Sequence, residues 1–202
     1  MPYDAKFYET YQEYLKEPTV RKNHDNVFKL FAHLMFTDAP HVIDLGCGTG
    51  EYLTYDFCHA EYCGIDFNNA SGFIHPYFIQ ADYKTLNFMD QVPFRPNAFI
   101  SLFSTELFLS DRAKYTFYER IFRELPCIRF GMVSGFFYES KRRKKILKEL
   151  EGTDKEITSR QTIEHPSRYI SDYFTEMRIH MHTPSQMFGP DVVEVWKIFV
   201  RK

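Results

Sequence analysis

The sequence lacks the segments that would place a chain in a membrane or on a secretion route. No apolar run approaches the ~20 residues that a membrane-spanning helix needs. The first ten residues are polar and aromatic, unlike a secretion signal. The 202 residues contain no internal repeat, low-complexity tract or Gly/Ser linker. We therefore expect a single cytoplasmic domain that spans residues 1–202.

The sequence also has little net charge and few cysteines. Its formal net charge of -2 at pH 7 gives no global field that would attract nucleic acid or an anionic membrane. A basic run at residues 141–145 keeps contact with RNA open, although glutamates flank it and such runs are usually solvated helix faces. The cysteines form no C-x-x-C pair, which predicts reduced thiols and no metal site: Cys47, Cys58, Cys63 and Cys127.

Aromatic residues are the over-represented class. Together, 21 Phe, 14 Tyr and one Trp make up 18% of the chain. A core that uses Phe in place of Leu is the simpler interpretation, and an aromatic-lined pocket for an organic ligand is the alternative.

The first 36 residues have helical periodicity. Pro18 is expected to stop a first helix, and a second is expected to begin near Asn23. The apolar face of this second helix is predicted to contain Val27, Leu30, Phe31 and Leu34.

After Pro40, short apolar strands alternate with helices, which predicts a parallel sheet covered on both faces. The predicted strands are residues 41–45, 62–66, 77–80, 97–103 and 127–137, and the predicted helices are residues 51–58 and 111–125, the latter with Tyr115, Tyr118, Ile121 and Phe122 inward. A helix at 167–174 and two strands at 176–183 and 192–201 follow, and the short loop between these strands predicts an antiparallel pair.

The most informative segment is V-I-D-L-G-C-G-T-G-E, at the end of the first predicted strand. Gly46, Gly48 and Gly50 allow a tight turn with positive φ, and their missing side chains let a ligand lie against the backbone. Asp44 and Glu51 flank this glycine loop and would repel phosphate, so the expected ligand is neutral or cationic there. The G-x-G-x-G spacing departs from the G-x-G-x-x-G dinucleotide fingerprint, which disfavours a nicotinamide-dependent enzyme.

The segment D-L-G-C-G-T-G-E resembles the first motif of class I S-adenosylmethionine-dependent methyltransferases. The order of strands and helices extends this resemblance, in weaker form, from residue 23 to residue 202. The resemblance implies a three-layer Rossmann-like α/β fold with a seven-stranded, mostly parallel sheet and an antiparallel C-terminal strand. It also implies S-adenosylmethionine as cofactor and an N-terminal helical lid, residues 1–36, over a core at 37–202.

The same resemblance implies which residues bind the cofactor. Asp66, at the end of the second strand, is expected to accept the ribose hydroxyls, and Asp82 is expected to accept the adenine amino group. Either residue could instead cap a helix, since Asp is a favoured cap. The expected cofactor site also contains Asp44, Gly46, Cys47, Gly48 and Gly50 in the loop, Phe67, Ala81, Tyr83, Phe103 and Tyr11.

Tyrosines of the predicted lid offer aromatic faces to a cationic sulfonium. We expect at least one of Tyr3, Tyr8 and Tyr11 to contact the cofactor, with simple packing of an amphipathic helix as the alternative.

Methyl transfer from a sulfonium needs alignment of the reactants more than a fixed set of catalytic groups, and alignment can contribute about 7–11 kcal/mol. Glu106, after the fourth strand, and His165 are candidate bases, although each could be a surface or structural residue. The segment S-L-F-S-T-E lacks the Asn/Asp-Pro-Pro-aromatic motif of many nucleobase-amine methyltransferases and contains no cysteine. We therefore expect a small-molecule acceptor methylated on oxygen or nitrogen. An RNA or protein methyltransferase and a non-catalytic cofactor-binding domain remain alternatives.

Overall fold

The computed structural model describes residues 5–35, 40–50, 61–67, 77–108, 111–138, 168–183 and 192–202. Strands β1 to β7 are His41–Leu45, Glu61–Asp66, Phe78–Gln80, Ala98–Leu102, Phe130–Tyr138, Phe174–His182 and Val192–Arg201. Helices α1 to α5 are Ala5–Lys16, Pro18–Leu34, Thr105–Phe108, Asp111–Glu124 and Arg168–Tyr173. Within these ranges, no helix has the length and apolar character required to cross a membrane.

The strands form one seven-stranded sheet in the order β3-β2-β1-β4-β5-β7-β6. Strands β1 to β5 pair in parallel, whereas β7 is antiparallel to both β5 and β6. The prediction of a mostly parallel sheet with an antiparallel C-terminal strand is therefore confirmed. Asp44 pairs with Gly64 on one side and with Ile100 on the other, so β1 lies at the centre of the parallel part.

Two apolar clusters cover the two faces of this sheet. On one face, which we call the α4 face, Tyr118 and Phe122 of α4 pack with Phe99 of β4. On the opposite face, the α2 face, Phe28 of α2 packs with Ile100 of β4. Successive strand residues point to opposite sides, so the wholly buried β4 supplies both clusters.

The N-terminal helices depart from the prediction in one boundary. Helix α1 ends at Lys16, before Pro18 as predicted, but α2 begins at Pro18 and not near Asn23. Proline fits the first position of a helix because its missing N–H would have no helical partner there. The buried face of α2 also differs from the predicted one. Val27 and Phe31 are buried as predicted, whereas Leu30 is 38% exposed.

Other predicted boundaries hold to within a few residues. Strands β1 and β7 match their predicted ranges, and the predicted inward face of α4 is buried: Tyr115, Tyr118, Ile121 and Phe122. Strand β5 begins at Phe130 and not at residue 127, because a turn closed by the Ile128 N–H on the Leu125 carbonyl at 2.9 Å precedes it. The predicted helix at 51–58 and the basic run at 141–145 lie outside the described residues.

Candidate functional site

The glycine loop leaves β1 with the backbone that its sequence predicts. Gly46, Gly48 and Gly50 have φ values of 79°, 56° and 77°, a region that other residues rarely adopt. The N–H groups of Gly46 and Cys47 donate to the Ile65 carbonyl at 2.7 Å and 3.2 Å. The loop is therefore tied to the end of β2, and Cys47 is buried within it.

Gly46 also contacts the segment that follows β4. A Cβ atom at Gly46 would overlap the Ser104 hydroxyl and would lie 3.2 Å from the Tyr83 ring. The Tyr83 hydroxyl hydrogen-bonds to Ser104 Oγ at 2.9 Å, and its ring packs beside Phe117 on the α4 face. Because Gly46 has no side chain, the ends of β1 and β4 can lie in contact. Tyr83, expected beside the adenine ring, is 6% exposed and belongs to the core between them.

Asp44 presents a buried carboxyl group beneath the loop. It is 1% exposed, and the Tyr62 hydroxyl donates to its Oδ2. Its Oδ1 is buried and has no hydrogen-bond partner among the described residues. Burial raises the pKa of Asp44 to about 7, with the Tyr62 hydrogen bond opposing and the charge of Asp66 adding to this shift. A cationic group at Oδ1 would satisfy this atom.

Asp66, the expected ribose ligand, lies against the glycine loop. Its Oδ2 accepts the Gly48 N–H at 2.9 Å, and its backbone carbonyl accepts the Ala81 N–H at 2.9 Å. These contacts bring the ends of β1, β2 and β3 together at one residue, Asp66. Phe67, the next residue, is 63% exposed. The ribose contact itself remains a prediction.

Asp82 makes the capping contact that was its alternative role. Its side chain accepts the Lys84 N–H at 3.0 Å and caps the short 3-10 turn Tyr83–Thr85. Ala81 and Asp82 are both half-buried, and the Ala81 N–H donates to the Asp66 carbonyl. Contact of either residue with adenine remains a prediction.

Phe103 follows β4 in a strained conformation. Its φ of 51° is unusual for a bulky residue, and such strain concentrates at functional sites. Its ring centroid lies 5.8 Å from those of Tyr11 and His24, and 5.9 Å from that of Trp196. The structure therefore brings Tyr11 of α1 to Phe103, two residues assigned to the cofactor from the sequence. Tyr3 lies outside the described residues, as does the side chain of Tyr8.

Glu106 is held by charged partners. Its carboxylate lies 2.9 Å and 3.0 Å from Lys197 Nζ and 3.4 Å from Lys114 Nζ, and it accepts the Tyr118 hydroxyl at 2.6 Å. We call these four residues the Glu106 cluster. Burial alone would raise the pKa of Glu106, but the charges of Lys197 and Lys114, together with the hydrogen bonds from Lys197 and Tyr118, lower it. A low pKa makes a weak base, so this geometry favours a structural role. His165, the other candidate base, lies outside the described residues.

A further buried carboxyl group, Glu194 of β7, was not predicted. It is 0% exposed and accepts hydrogen bonds from the Tyr14 hydroxyl and from Trp196 Nε1 at 2.9 Å. His24 Nε2 lies 3.0 Å and 2.9 Å from its two oxygens. We call these residues the Glu194 cluster. The available signal was the alternation of β7, which places Glu194 on the same face as Trp196.

No family model matches this chain, and no curated protein matches it in sequence. Many solved structures do match its fold. An S-adenosylmethionine-dependent methyltransferase from Archaeoglobus fulgidus is 13% identical, with a TM-score of 0.58 over 97% of this chain and 100% of the other. The N-methyltransferase NodS from Bradyrhizobium japonicum WM9 is 11% identical, with a TM-score of 0.58 over 93% and 98%.

A third match was solved with ligands. The 1,6-didemethyltoxoflavin-N1-methyltransferase from Burkholderia thailandensis, with bound 1,6-didemethyltoxoflavin and S-adenosylhomocysteine, is 11% identical. Its TM-score is 0.53 over 98% of this chain and 84% of the other. At these identities the likeness establishes the fold. The chain has the class I methyltransferase fold, as the resemblance of its glycine loop predicted.

Proposed function

We propose that this protein is an S-adenosylmethionine-dependent methyltransferase that acts on a nitrogen or oxygen atom of a small molecule. The observation that carries the proposal is the meeting of the glycine loop, Asp44 and Asp66 at the carboxyl ends of β1 and β2. Ligands of open α/β sheets bind at these strand ends. The shared fold supports this assignment.

The residues beneath the loop fit a cationic cofactor. The buried Oδ1 of Asp44 lacks a partner in the described part of the chain, and an unsatisfied buried acceptor costs about 1–3 kcal/mol. The ammonium group of S-adenosylmethionine would remove this cost, whereas the phosphates of a dinucleotide would be repelled. We therefore assign Asp44 to the amino-acid end of the cofactor.

The remaining assignments follow the order of the strand ends along the sheet. Asp66 is assigned to the ribose, because the Gly48 N–H already fixes its carboxylate at the loop. Phe67, Ala81 and Asp82, which follow β2 and β3, are assigned to the adenine end. Phe103, next to the loop through its neighbour Ser104, is assigned to the side where the acceptor meets the methyl group.

The cofactor supplies a methyl group on a sulfonium, which is a good leaving group. The contribution of the chain is to hold the acceptor in line with that methyl group, which can be worth about 7–11 kcal/mol. Aromatic rings at Tyr11 and Phe103 suit a flat organic acceptor and a nearby positive charge. A small acceptor is also supported by the ligand in the structurally similar 1,6-didemethyltoxoflavin-N1-methyltransferase.

Calorimetric titration with S-adenosylmethionine and S-adenosylhomocysteine tests the cofactor site. We expect both to bind the wild type, and we expect Asp66→Ala to weaken them roughly tenfold or more, because hydrogen bonds to a carboxylate are worth about 1.5–3 kcal/mol. Asp90→Ala, an exposed aspartate of a 3-10 turn, is the matched control and should bind like the wild type. If folded wild type binds neither compound, the proposal is wrong.

Methyl transfer is tested separately with methyl-labelled cofactor and a metabolite mixture. Labelled product that disappears in Asp66→Ala distinguishes an enzyme from a non-catalytic binding domain.

A further inference from the structure

Asp44 and Tyr62 form a buried pair across the first two strands. Tyr62 pairs with Val42, so it lies two residues along from Asp44 on the same face of the sheet. The residues directly opposite Asp44 offer it no donor, because Gly64 has no side chain and that of Ile100 is apolar. The Tyr62 hydroxyl donates to Asp44 Oδ2 instead, and its ring is buried in the core of the α2 face. The buried ring therefore fixes the hydroxyl, which in turn fixes one oxygen of the carboxyl group.

This contact leaves the second oxygen of the carboxyl group for another partner. Asp44 Oδ1 is buried and has no hydrogen-bond partner in the described part of the chain. Asp44 stands two residues before Gly46, the first glycine of the loop to which the cofactor is assigned. A buried acceptor without a donor is unfavourable, so this atom indicates a ligand that carries a donor.

The charges around Asp44 favour a donor that is also a cation. Burial raises the pKa of Asp44 to about 7, the Tyr62 hydrogen bond opposes this shift, and the negative charge of Asp66 adds to it. The thiols of Cys47 and Cys63, which face the same pair, are neutral because burial raises the pKa of both. Among the described groups that act on the carboxyl group, Tyr62 is therefore the one that favours its ionised form.

We infer that Tyr62 is a positioning residue for the cofactor, an inference that rests on the proposed function. Its hydroxyl holds Asp44 Oδ2 and leaves Oδ1, with the negative charge, for the ammonium group at the methionine end of S-adenosylmethionine. A ligand without that ammonium group gains nothing from the pair. The two residues therefore select ligands by their amino-acid end, whereas Asp66 is assigned to the ribose that all adenosine compounds share.

Two ligands separate this role from a merely structural one. S-adenosylhomocysteine carries the amino-acid end, and methylthioadenosine has the same adenosine and sulfur without it. Loss of core packing at Tyr62 would weaken both ligands, whereas loss of its hydrogen bond to Asp44 weakens S-adenosylhomocysteine alone. The ratio of the two dissociation constants is therefore the quantity to measure.

Calorimetric titration of Tyr62→Phe with both ligands is the test. We expect about tenfold weaker binding of S-adenosylhomocysteine, because the carboxylate loses a charge-assisted hydrogen bond and a smaller share of it is ionised at neutral pH. Methylthioadenosine should bind as it does to the wild type. Tyr115→Phe is the matched control, since Tyr115 is also buried and its hydroxyl also donates to a carboxylate, that of Glu176 at 3.2 Å. This control should bind both ligands like the wild type.

The result for Tyr62→Phe decides the inference. Equal weakening of both ligands would show that Tyr62 only supports the fold, and unchanged binding of S-adenosylhomocysteine would show that Asp44 does not need it. Either result overturns the inference. Tyr62→Phe added to Asp44→Asn should cause no further loss, because Tyr62 acts through the charge of Asp44. A further loss of about tenfold in the double variant would also overturn it.

The pH dependence of the wild type gives a readout that needs no substitution. Affinity for S-adenosylhomocysteine should rise from about pH 6 to about pH 7.5 as Asp44 loses its proton, because the ammonium group binds the ionised carboxylate. Affinity for methylthioadenosine should stay constant. Tyr62→Phe should move the rise to higher pH, since the lost hydrogen bond opposes the raised pKa of Asp44. A flat wild-type profile for S-adenosylhomocysteine would overturn the inference even if Tyr62→Phe fails to fold.

The same titrations distinguish this inference from the proposed function. If the folded wild type binds neither ligand, the proposed function is wrong and this inference falls with it. If the wild type binds both ligands and Tyr62→Phe does not separate them, this inference alone is wrong. Asp66→Ala should weaken both ligands, because both carry the ribose.

Discussion

The Glu106 cluster and the Glu194 cluster bury their carboxyl groups on opposite faces of one sheet. Glu106 is 4% exposed and Glu194 is 0% exposed, so burial does not distinguish them. Their partners do. Glu106 meets the ammonium groups of Lys197 and Lys114, whereas Glu194 meets a phenol, an imidazole and an indole.

The comparison shows that the charge of the partner decides whether a buried carboxyl group is ionised. Despite burial, the two lysines and the Tyr118 hydrogen bond hold the pKa of Glu106 below its ordinary value. Burial without a cation raises the pKa of Glu194 to about 8. One short stretch of β7 serves both clusters. Glu194 and Trp196 point to the α2 face and Lys197 to the α4 face, because successive strand residues alternate.

Removal of Lys197 from the Glu106 cluster should have the largest effect on the free energy of unfolding. Lys197→Met leaves a buried carboxylate with one fewer cation, and breaking a buried ion pair costs about 3–5 kcal/mol of unfolding free energy. Urea denaturation at neutral pH measures this loss. Lys197→Met combined with Glu106→Gln should recover part of it, because the carboxylate is then no longer charged. A loss under about 1 kcal/mol in Lys197→Met would show that Glu106 does not depend on this lysine.

The pH dependence of stability should separate the two clusters next. The folded chain keeps a proton on Glu194 that the unfolded chain releases above its ordinary pKa of 4.5, so this stabilisation is lost as pH rises towards 8. The lowered pKa of His24 makes stability increase with pH, but only between about pH 3 and pH 6.5. Between pH 6.5 and pH 8 the wild type should therefore lose up to about 2 kcal/mol through Glu194.

Urea denaturation across that pH range provides the measurement. Glu194→Gln should show a flatter pH dependence than the wild type. Glu106 does not make the free energy of unfolding change with pH in this range. Its pKa is lowered, so the stability that it contributes is fully present above pH 4.5. Parallel wild-type and Glu194→Gln curves would contradict the assignment of a proton to Glu194.

The same substitution in both clusters gives the most closely matched comparison, with an expected difference of about 1 kcal/mol. Tyr118→Phe removes a hydrogen bond to ionised Glu106 and should cost about 1.5–3 kcal/mol, whereas Tyr14→Phe removes one to neutral Glu194 and should cost about 0.5–1.5 kcal/mol. Thermal or urea unfolding at neutral pH measures both. Equal costs would indicate that the two carboxyl groups have the same charge.

Much of the fold could be predicted because its signals are local. The apolar runs of β1 and β7 and the periodicity of α4 gave correct elements, since each pattern depends on neighbouring residues. The predicted start of α2, near Asn23, was wrong. Pro18 can end one helix or begin the next, and only the packing of Val20 and His24 against the sheet shows that a helix begins at Pro18.

The candidate site was predicted in part for the same reason. The positive φ angles of the glycine loop follow from its residue types, and Asp66 ends the second strand as predicted. Tyr83 and Glu106 follow β3 and β4, as the order of predicted strands indicated. The contact of Tyr83 with Ser104 and that of Glu106 with Lys197 could not be predicted, because these partners are distant in the sequence.

The sequence by itself determined a parallel α/β sheet with a glycine loop after its first strand, because spacing and residue type act over a few residues. Only the tertiary structure decided which buried carboxyl group meets a cation. Lys197 reaches Glu106 across 91 residues of sequence, and His24 reaches Glu194 across 170. The ionisation state of each group depends on these distant partners, since Coulomb interactions and desolvation act through space and not along the chain.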